Sequence, residues 1–367
     1  MIQMVSLGDI CDIKIGRTPP RKQPQWFSES HGIKWVSIKN MGNTGKYISQ
    51  TSEFLTADAI KKFNIPIIPA GTLLMSFKLT VGRLGFTEYD MCSNEAIAQL
   101  PIKDPDMVDK NYLYYYLKNF NFGSLSSTSS IATAVNSKTV KNISVNLPPL
   151  DQQKKIADIL SSLDEKIELN RRMNETLEQL GQALFRHYFV DNPESKNWKK
   201  RPLGEFFPVK TGKKDANFGT KDGKFPFFTC AQTISHAPSY SFDGSAILVA
   251  GNGDFNIKYY TGKFEAYQRT YVLIPHNEEL LGFLYFLMKK DLSLITGGSR
   301  GSVIKFITKG MIENYRVELP DDNDLAAFAP IFSELLALIS HSNEQIQTLA
   351  VLRDILLPKL ISGEIEV

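Results

Sequence analysis

Two stretches of the chain carry apolar residues at helical spacing over a length unusual for a compact domain. Between Asp151 and about Val190 no proline interrupts the series Ile156, Ile159, Leu160, Leu163, Ile167, Met173, Leu177, Leu180 and Leu184, a recurrence at three and four residues that predicts a long helix. A second series runs through Phe328, Ile331, Phe332, Leu335, Leu338, Ile339, Ile346, Leu349, Leu352 and Leu356, with Pro358 expected to end it. Each follows a Leu-Pro step with an Asp available as N-cap, in Leu147-Pro148-Pro149-Leu150-Asp151 and in Leu319-Pro320-Asp321-Asp322. Helices of about 35 to 40 residues would span roughly 50–60 Å. An apolar stripe that long needs a partner, and the other helix is the obvious one, giving an antiparallel coiled coil.

The remaining sequence reads differently. Ile33–Ile38, Thr72–Phe77 and Ala246–Ala250 are short apolar or alternating runs set off by Gly, Asn, Pro and Ser, the punctuation of strands. Each of these two blocks also holds a short aromatic helix, Asn111–Lys118 and Leu281–Lys289. The chain repeats itself. An offset of 172 places Val145-Asn146-Leu147-Pro148 on Val317-Glu318-Leu319-Pro320, and Ile159, Leu163, Ile167, Leu177, Leu180 and Leu184 on Ile331, Leu335, Ile339, Leu349, Leu352 and Leu356. Near the block starts the offset is 196, which sets Leu7-Gly8-Asp9 and Ile13–Gly16 on Leu203-Gly204-Glu205 and Val209–Gly212. The expected fold class is therefore α+β: two mixed α/β domains (1–150 and 201–320), each followed by a long helix (151–200 with a linker, and 321–367 with a tail). Antiparallel pairing of the helices would relate the domains by a pseudo-two-fold axis.

Composition narrows the function. With 43% hydrophobic, 22% charged and 11% aromatic residues the chain is globular. No run is expected to reach the ~18 apolar residues of a membrane span. The three cysteines, Cys11, Cys92 and Cys230, are too few and too scattered for a disulfide framework, which suits a reducing cytoplasm. The net charge of +3 hides an uneven distribution: +5 over residues 1–150, zero over 151–200, +4 over 201–320 and −6 over 321–367. Two basic blocks suit a polyanion, and the acidic last block should face protein.

No catalytic constellation is present. Walker, His-Glu-x-x-His and Gly-x-Ser-x-Gly motifs are absent, and His31, His187, His236, His276 and His341 are scattered. The Gly-rich stretches 250–254 and 297–302 lack the strand–loop–helix spacing of a nucleotide fingerprint. Asn146-Leu147-Pro148-Pro149-Leu150 echoes the Asn-Pro-Pro-aromatic loop of amino-methyltransferases only with an inserted Leu and no aromatic, so methyl transfer by this chain is rejected. What remains is Lys, Arg, Asn and Gln in loops rich in small residues. The candidate DNA contacts are Arg21, Lys22, Lys39, Asn43, Lys78, Arg83 and Lys138 in the first block, and Lys213, Lys214, Asn252, Gln268, Arg269, Arg300 and Lys305 in the second. Cations neutralise phosphates, while Arg, Asn and Gln also read base edges. On the helices, Ile156, Leu163, Asn170, Leu177, Leu184, Leu335, Ile339, Leu349 and Leu356 are the candidates for helix pairing and partner docking. Asn170 falls at a heptad a position, where a buried Asn fixes register.

These features together resemble the specificity subunit of type I restriction–modification systems. The resemblance is carried by Leu7–Asp9, Trp35-Val36-Ser37-Ile38-Lys39, Gly71–Ser76, Asn94-Glu95-Ala96, Leu147–Ala157, Leu163–Ile167 and the ending Leu356–Ile365. It implies a non-catalytic subunit with two target recognition domains, each reading one half of a bipartite double-stranded DNA sequence. It also implies two modification subunits that bind S-adenosylmethionine and dock on the helices, and restriction subunits that use ATP and Mg. Neither cofactor is expected in this chain. A coiled-coil scaffold without DNA specificity, or part of a fused adenine methyltransferase, are the alternatives. The two helix faces are inequivalent, since Asp164-Glu165-Lys166 becomes Leu336-Ala337-Leu338 in the second repeat.

Overall fold

A computed structural model describes residues 3–41, 45–126, 136–297 and 306–367. The chain divides into two compact units, Met1–Leu169 with Ile346–Val367, and Asn170–Gln345. The two long helices, Leu150–Phe185 and Asp322–Ser362, therefore each give a segment to both units.

In the first unit a five-stranded sheet runs in the order Lys14–Ile15, Ile97–Leu100, Leu73–Ser76, Leu84–Thr87, Tyr47–Ile48, beside a four-stranded sheet of Phe27–Ser28, Phe54–Leu55, Ile33–Val36 and Cys92–Ser93. The aromatic helix Lys110–Asn119 starts at Asp109, whose carboxylate accepts from the amides of Asn111 and Tyr112. It buries Tyr112, Leu113, Tyr115 and Leu117 in one core with Leu73, Met75 and Phe86 of the sheet, and with Ile156, Leu160, Leu357 and Leu360 of the long helices.

The second unit has a six-stranded sheet in the order Val209–Thr211, Thr270–Leu273, Phe242–Ala250, Ile257–Ala266, Phe225–Phe228, Ser235–Ala237. Its core gathers Phe185, Phe207, Phe283, Phe286, Phe332, Leu335 and Ile339. The aromatic helix here runs from Leu281 to Thr296, longer than its aromatic run suggests, because Ile295 is still buried and nothing breaks the pattern before Gly297.

The repeat is visible bond by bond. A two-stranded antiparallel ribbon closes each unit, pairing Gln3 with Leu147 in the first and Lys199 with Leu319 in the second. The shared Ile/Val-Lys-x-Gly motif has a steric reason. A Cβ on Gly16 would lie 2.1 Å from the Ser93 carbonyl oxygen, and one on Gly212 would lie 2.1 Å from that of Ala266. Only glycine lets the chain pass these carbonyls, which end the strands Cys92–Ser93 and Ile257–Ala266.

At the helix ends one expectation holds and two do not. Asp321 caps its helix, accepting from the amides of Asn323 and Asp324. Asp151, by contrast, lies inside the first turn, because that helix already begins at Leu150. Pro358 does not end the second helix, which continues to Ser362. Burial of Leu357 and Leu360 on either side of it outweighs the ~3 kcal/mol that an interior proline costs. Finally, among the described residues the helix Asp322–Ser362 is long and apolar enough to cross a membrane, against the expectation from apolar runs. Phe332, Leu335, Leu336 and Ile339 of that helix are core residues of the second unit, which accounts for part of its hydropathy.

Two consequences for stability follow. Gly212→Ala should lower unfolding free energy by at least about 2 kcal/mol in urea titrations, since the clash is with backbone that cannot step aside. Lys46 supplies a pH test. Its Nζ is buried, donates to Ser161 Oγ at 2.7 Å and lies 5.0 Å from the Tyr115 ring centre. Burial depresses its pKa, with Asp164 and Glu165 opposing. The unfolded chain thus holds this proton more tightly than the folded one, so the contribution of Lys46 to stability rises as pH climbs toward ~10.4, the unperturbed lysine value. Paired urea melts at neutral and alkaline pH should show that rise diminished in Lys46→Met relative to the parent.

Candidate nucleic-acid interface

In the first unit four loops are tied together beside the sheet ends. The Arg17 amide donates to the Ser93 carbonyl at 2.8 Å, the Asn94 amide to Val36 at 3.0 Å and the Phe77 amide to Ala96 at 2.9 Å. Arg83 Nη1 donates to the Ile38 carbonyl at 2.9 Å. Thr18 Oγ1 donates to the Glu95 carboxylate. Burial pushes the Glu95 carboxyl up, but the Thr18 hydroxyl, its own amide and the charges of Lys78 and Arg21 together hold it below the ordinary glutamate value. These contacts bring Arg17–Lys22, Ser37–Met41, Ser76–Arg83 and Ser93–Ala96 into one cluster.

The structure sorts the candidate cations. Arg21 forms a bidentate pair with Glu53 (2.5 and 3.1 Å) and stands 4.5 Å from the ring centres of Phe27 and Trp35. Arg83 is half-buried and committed to the Ile38 carbonyl. These two hold loops in place. Lys22, Lys39 and Lys78 are exposed, and Lys39 sits in a turn fixed by Asn40, which accepts from the Ser37 amide at 2.9 Å and hydroxyl at 2.7 Å. Lys138 is exposed on the helix Ser137–Lys141, which packs on Leu7–Ile10. Asn43 lies outside the described residues.

The second unit builds a matching cluster. The Gln268 amide donates to the Lys214 carbonyl at 2.9 Å, Gly251 to Arg269 at 2.8 Å and Ile307 to Gly251 at 2.8 Å. Lys214 is half-buried, with Nζ 4.5 Å from the Phe218 ring centre, and Gln268 Nε2 donates to Asp215 Oδ1 at 2.8 Å. Lys213 and Arg269 are exposed, and Asn252 is half-buried in a bridge to Phe306. Arg300 and Lys305 lie outside the described residues. Sequence reasoning overlooked Lys258 and Asn256, which secure the same cluster by donating to the carbonyls of Ala231 (2.7 Å) and Cys230 (2.9 Å). It also overlooked the acids Glu53, which pairs with Arg21, Glu95, which accepts from the Thr18 hydroxyl, and Asp215, which accepts from the Gln268 side-chain amide. Nothing in local sequence ties an acid to a base thirty or more residues away.

On the helices, Ile156, Leu335 and Ile339 are buried, while Leu163, Leu177, Leu184, Leu349 and Leu356 are half-buried. The segments run antiparallel within each unit. Asp164 meets Arg353 at 2.7 Å in the first unit. In the second, Asn170 and Asn174 donate to Gln345 (3.1 Å) and Asn343 (2.9 Å), and Phe185 lies against Phe332. Asn170 is 1% exposed, and its carbonyl accepts from Ser342 Oγ at 3.2 Å.

Two tandem loop clusters on a repeated scaffold agree with the comparison to known proteins. A family model for the type I restriction modification DNA specificity domain matches residues 2–179 and again 195–349. The chain belongs to this family. Among specificity subunits it is similar to that of the type I restriction enzyme EcoDI from Escherichia coli, with 44% identity over 46% of this chain. That match spans only 39% of the EcoDI subunit. The MjaIX specificity subunit of Methanocaldococcus jannaschii is 25% identical over 98% of this chain and 93% of its own length. The crystal structure of the type I S subunit from M. genitalium shares the fold, with a TM-score of 0.60 and 18% identity, covering 98% of this chain and 96% of that one. The specificity-domain family and this structure agree on two mixed α/β modules with long helices.

The sorting of cations is testable. Arg21→Ala should lower stability by about 1 kcal/mol by removing a bidentate pair and its aromatic contacts. Lys22→Ala should leave the melting curve unchanged within about 0.5 kcal/mol while weakening duplex binding in a shift assay.

Proposed function

We propose that each unit reads one half of a bipartite double-stranded DNA sequence, so that the chain supplies sequence specificity without performing chemistry itself. The observation that carries this reading is the duplicated cluster of loops that leaves Lys22, Lys39 and Lys78 free at one unit and Lys213 and Arg269 at the other, on scaffolds built with the same register. The cationic loops meet phosphates, and the small and amide side chains beside them meet base edges.

The helices take the protein partners. Leu169, Val351, Leu352 and Ile355 of the first unit and Met173, Leu180 and Leu338 of the second remain exposed, far more apolar surface than a solvated helix face needs. We assign these faces to two modification subunits that carry S-adenosylmethionine, with ATP- and Mg-dependent restriction subunits joining the same complex. Free Cys11, Cys92 and Cys230 suit a cytoplasmic setting for that assembly.

Methylome sequencing of a host carrying the chain with its partner subunits should return a split motif with a fixed gap. Replacing the first recognition module should alter one half of the motif only. In shift assays on random duplexes, affinity should fall steeply with salt as counterions are released. Flat salt dependence with no motif would instead identify a protein-binding scaffold.

A further inference from the structure

The two units carry corresponding hairpins, matched residue for residue along the outgoing strand, although the first loop, from Ser76 to Arg83, is one residue longer than the second, from Ala250 to Asn256. In the first unit Ser76 pairs with Ile97 and the Phe77 amide donates to the Ala96 carbonyl. In the second, Ala250 pairs with Thr270 and the Gly251 amide donates to the Arg269 carbonyl. Three residues beyond each of these paired positions stand Leu79 and Gly253. Both have left-handed backbone, φ +61° for Leu79 and φ +72° for Gly253.

Glycine is the ordinary occupant of such a position, and the second unit uses it. A γ-branched residue with a Cβ there is strained. Leu79 gains nothing from packing in exchange, for it is 95% exposed, the most exposed large apolar side chain among the described residues. Its backbone is nonetheless firmly held. Ser76 Oγ donates to the Thr80 carbonyl at 2.5 Å and accepts from the Arg83 amide at 2.9 Å, and the Gly82 amide donates to the Ser76 carbonyl at 2.9 Å. Lys78 is exposed beside it. The Lys39 turn is tied to the same hairpin through Arg83. A strained apolar tip beside an exposed cation, on a hairpin held by these bonds, is suited to a partner with an anionic surface and an apolar interior, and duplex DNA has both: phosphates outside, stacked bases within.

We propose that Leu79 is an apolar wedge that presses into a base step of the half-site read by the first unit. Inserting apolar side chains unstacks a step and bends the duplex, and flexible pyrimidine–purine steps yield most readily. Leu79 therefore contributes specificity through the deformability of the step. The second unit, with Gly253 at the same place, reads its half without a wedge. The inference rests on the DNA reading above.

The test compares the full chain and Leu79→Gly, each with its modification subunits, by selection from a random-sequence duplex pool. Glycine suits the backbone at this site, so the variant should melt a few degrees higher. It should bind the duplex selected by the parent about tenfold more weakly, a loss of the size expected for one base contact. Its own selected motif should lose information at one step of one half and keep the other half. With 2-aminopurine at that step, fluorescence should rise on binding the parent and not the variant. An unchanged motif and affinity would overturn the proposal, as would loss of motif without the fluorescence rise, which would point to contact with a thymine methyl. If the parent itself selects no motif, the DNA reading fails first.

Discussion

Everything in this protein depends on how two long apolar stripes are buried. A helix of 36 residues, Leu150–Phe185, cannot cover its own stripe, and neither unit contains a complete long helix. Each unit is instead finished by two antiparallel segments, one from each helix. Ile156, Leu160, Leu357 and Leu360 complete the first core, and Phe185, Phe332, Leu335 and Ile339 the second. At ~1.5–3 kcal/mol for each large apolar side chain removed from water, these contacts rank with any others in the two units. The C-terminal segment is thereby structural for a unit whose other residues lie some two hundred positions earlier. This also explains why a proline is tolerated at 358.

The same economy governs charge. Among the described cations nominated by composition, Arg21 and Arg83 meet a carboxylate or a carbonyl and fasten loops, Lys214 lies half-buried against Phe218, and Lys22, Lys39, Lys78, Lys138, Lys213 and Arg269 face solvent. Arg21 and Lys22 are adjacent and chemically alike, yet Glu53, Phe27 and Trp35 claim the first and leave the second exposed. On the proposed DNA reading a fastened arginine would serve recognition indirectly, because a loop of fixed shape loses less entropy when it meets a partner.

Periodicity made the helices and the duplication legible, since both are written in residue spacing. The Gly16 and Gly212 motif was visible as a repeat, but its cause, a carbonyl from a strand more than fifty residues away, was not. Helix ends were read less well because capping and termination are decided by neighbours. Asp151 is bypassed by one residue, and Pro358 is overridden by the core around it. The candidate site was legible as loops and residue types only. Pairings such as Arg21 with Glu53 or Gln268 with Asp215 join positions that only the fold brings together, so sequence could nominate cations and could not sort them.

Duplication has not made the units equal. Where the first unit places Asp164, accepting from Tyr115 Oη at 2.8 Å and Arg353 at 2.7 Å, the repeat places Leu336 in an apolar core. Where the second places Gly253, the first places Leu79. Such differences fall on a scaffold whose ribbon registers are matched residue for residue, so they were accommodated without moving the frame. On the proposed reading, a frame that tolerates change at its tips and at its helix faces would let each half of an asymmetric target be read by different chemistry. The shared registers keep both sets of loops presented in the same way.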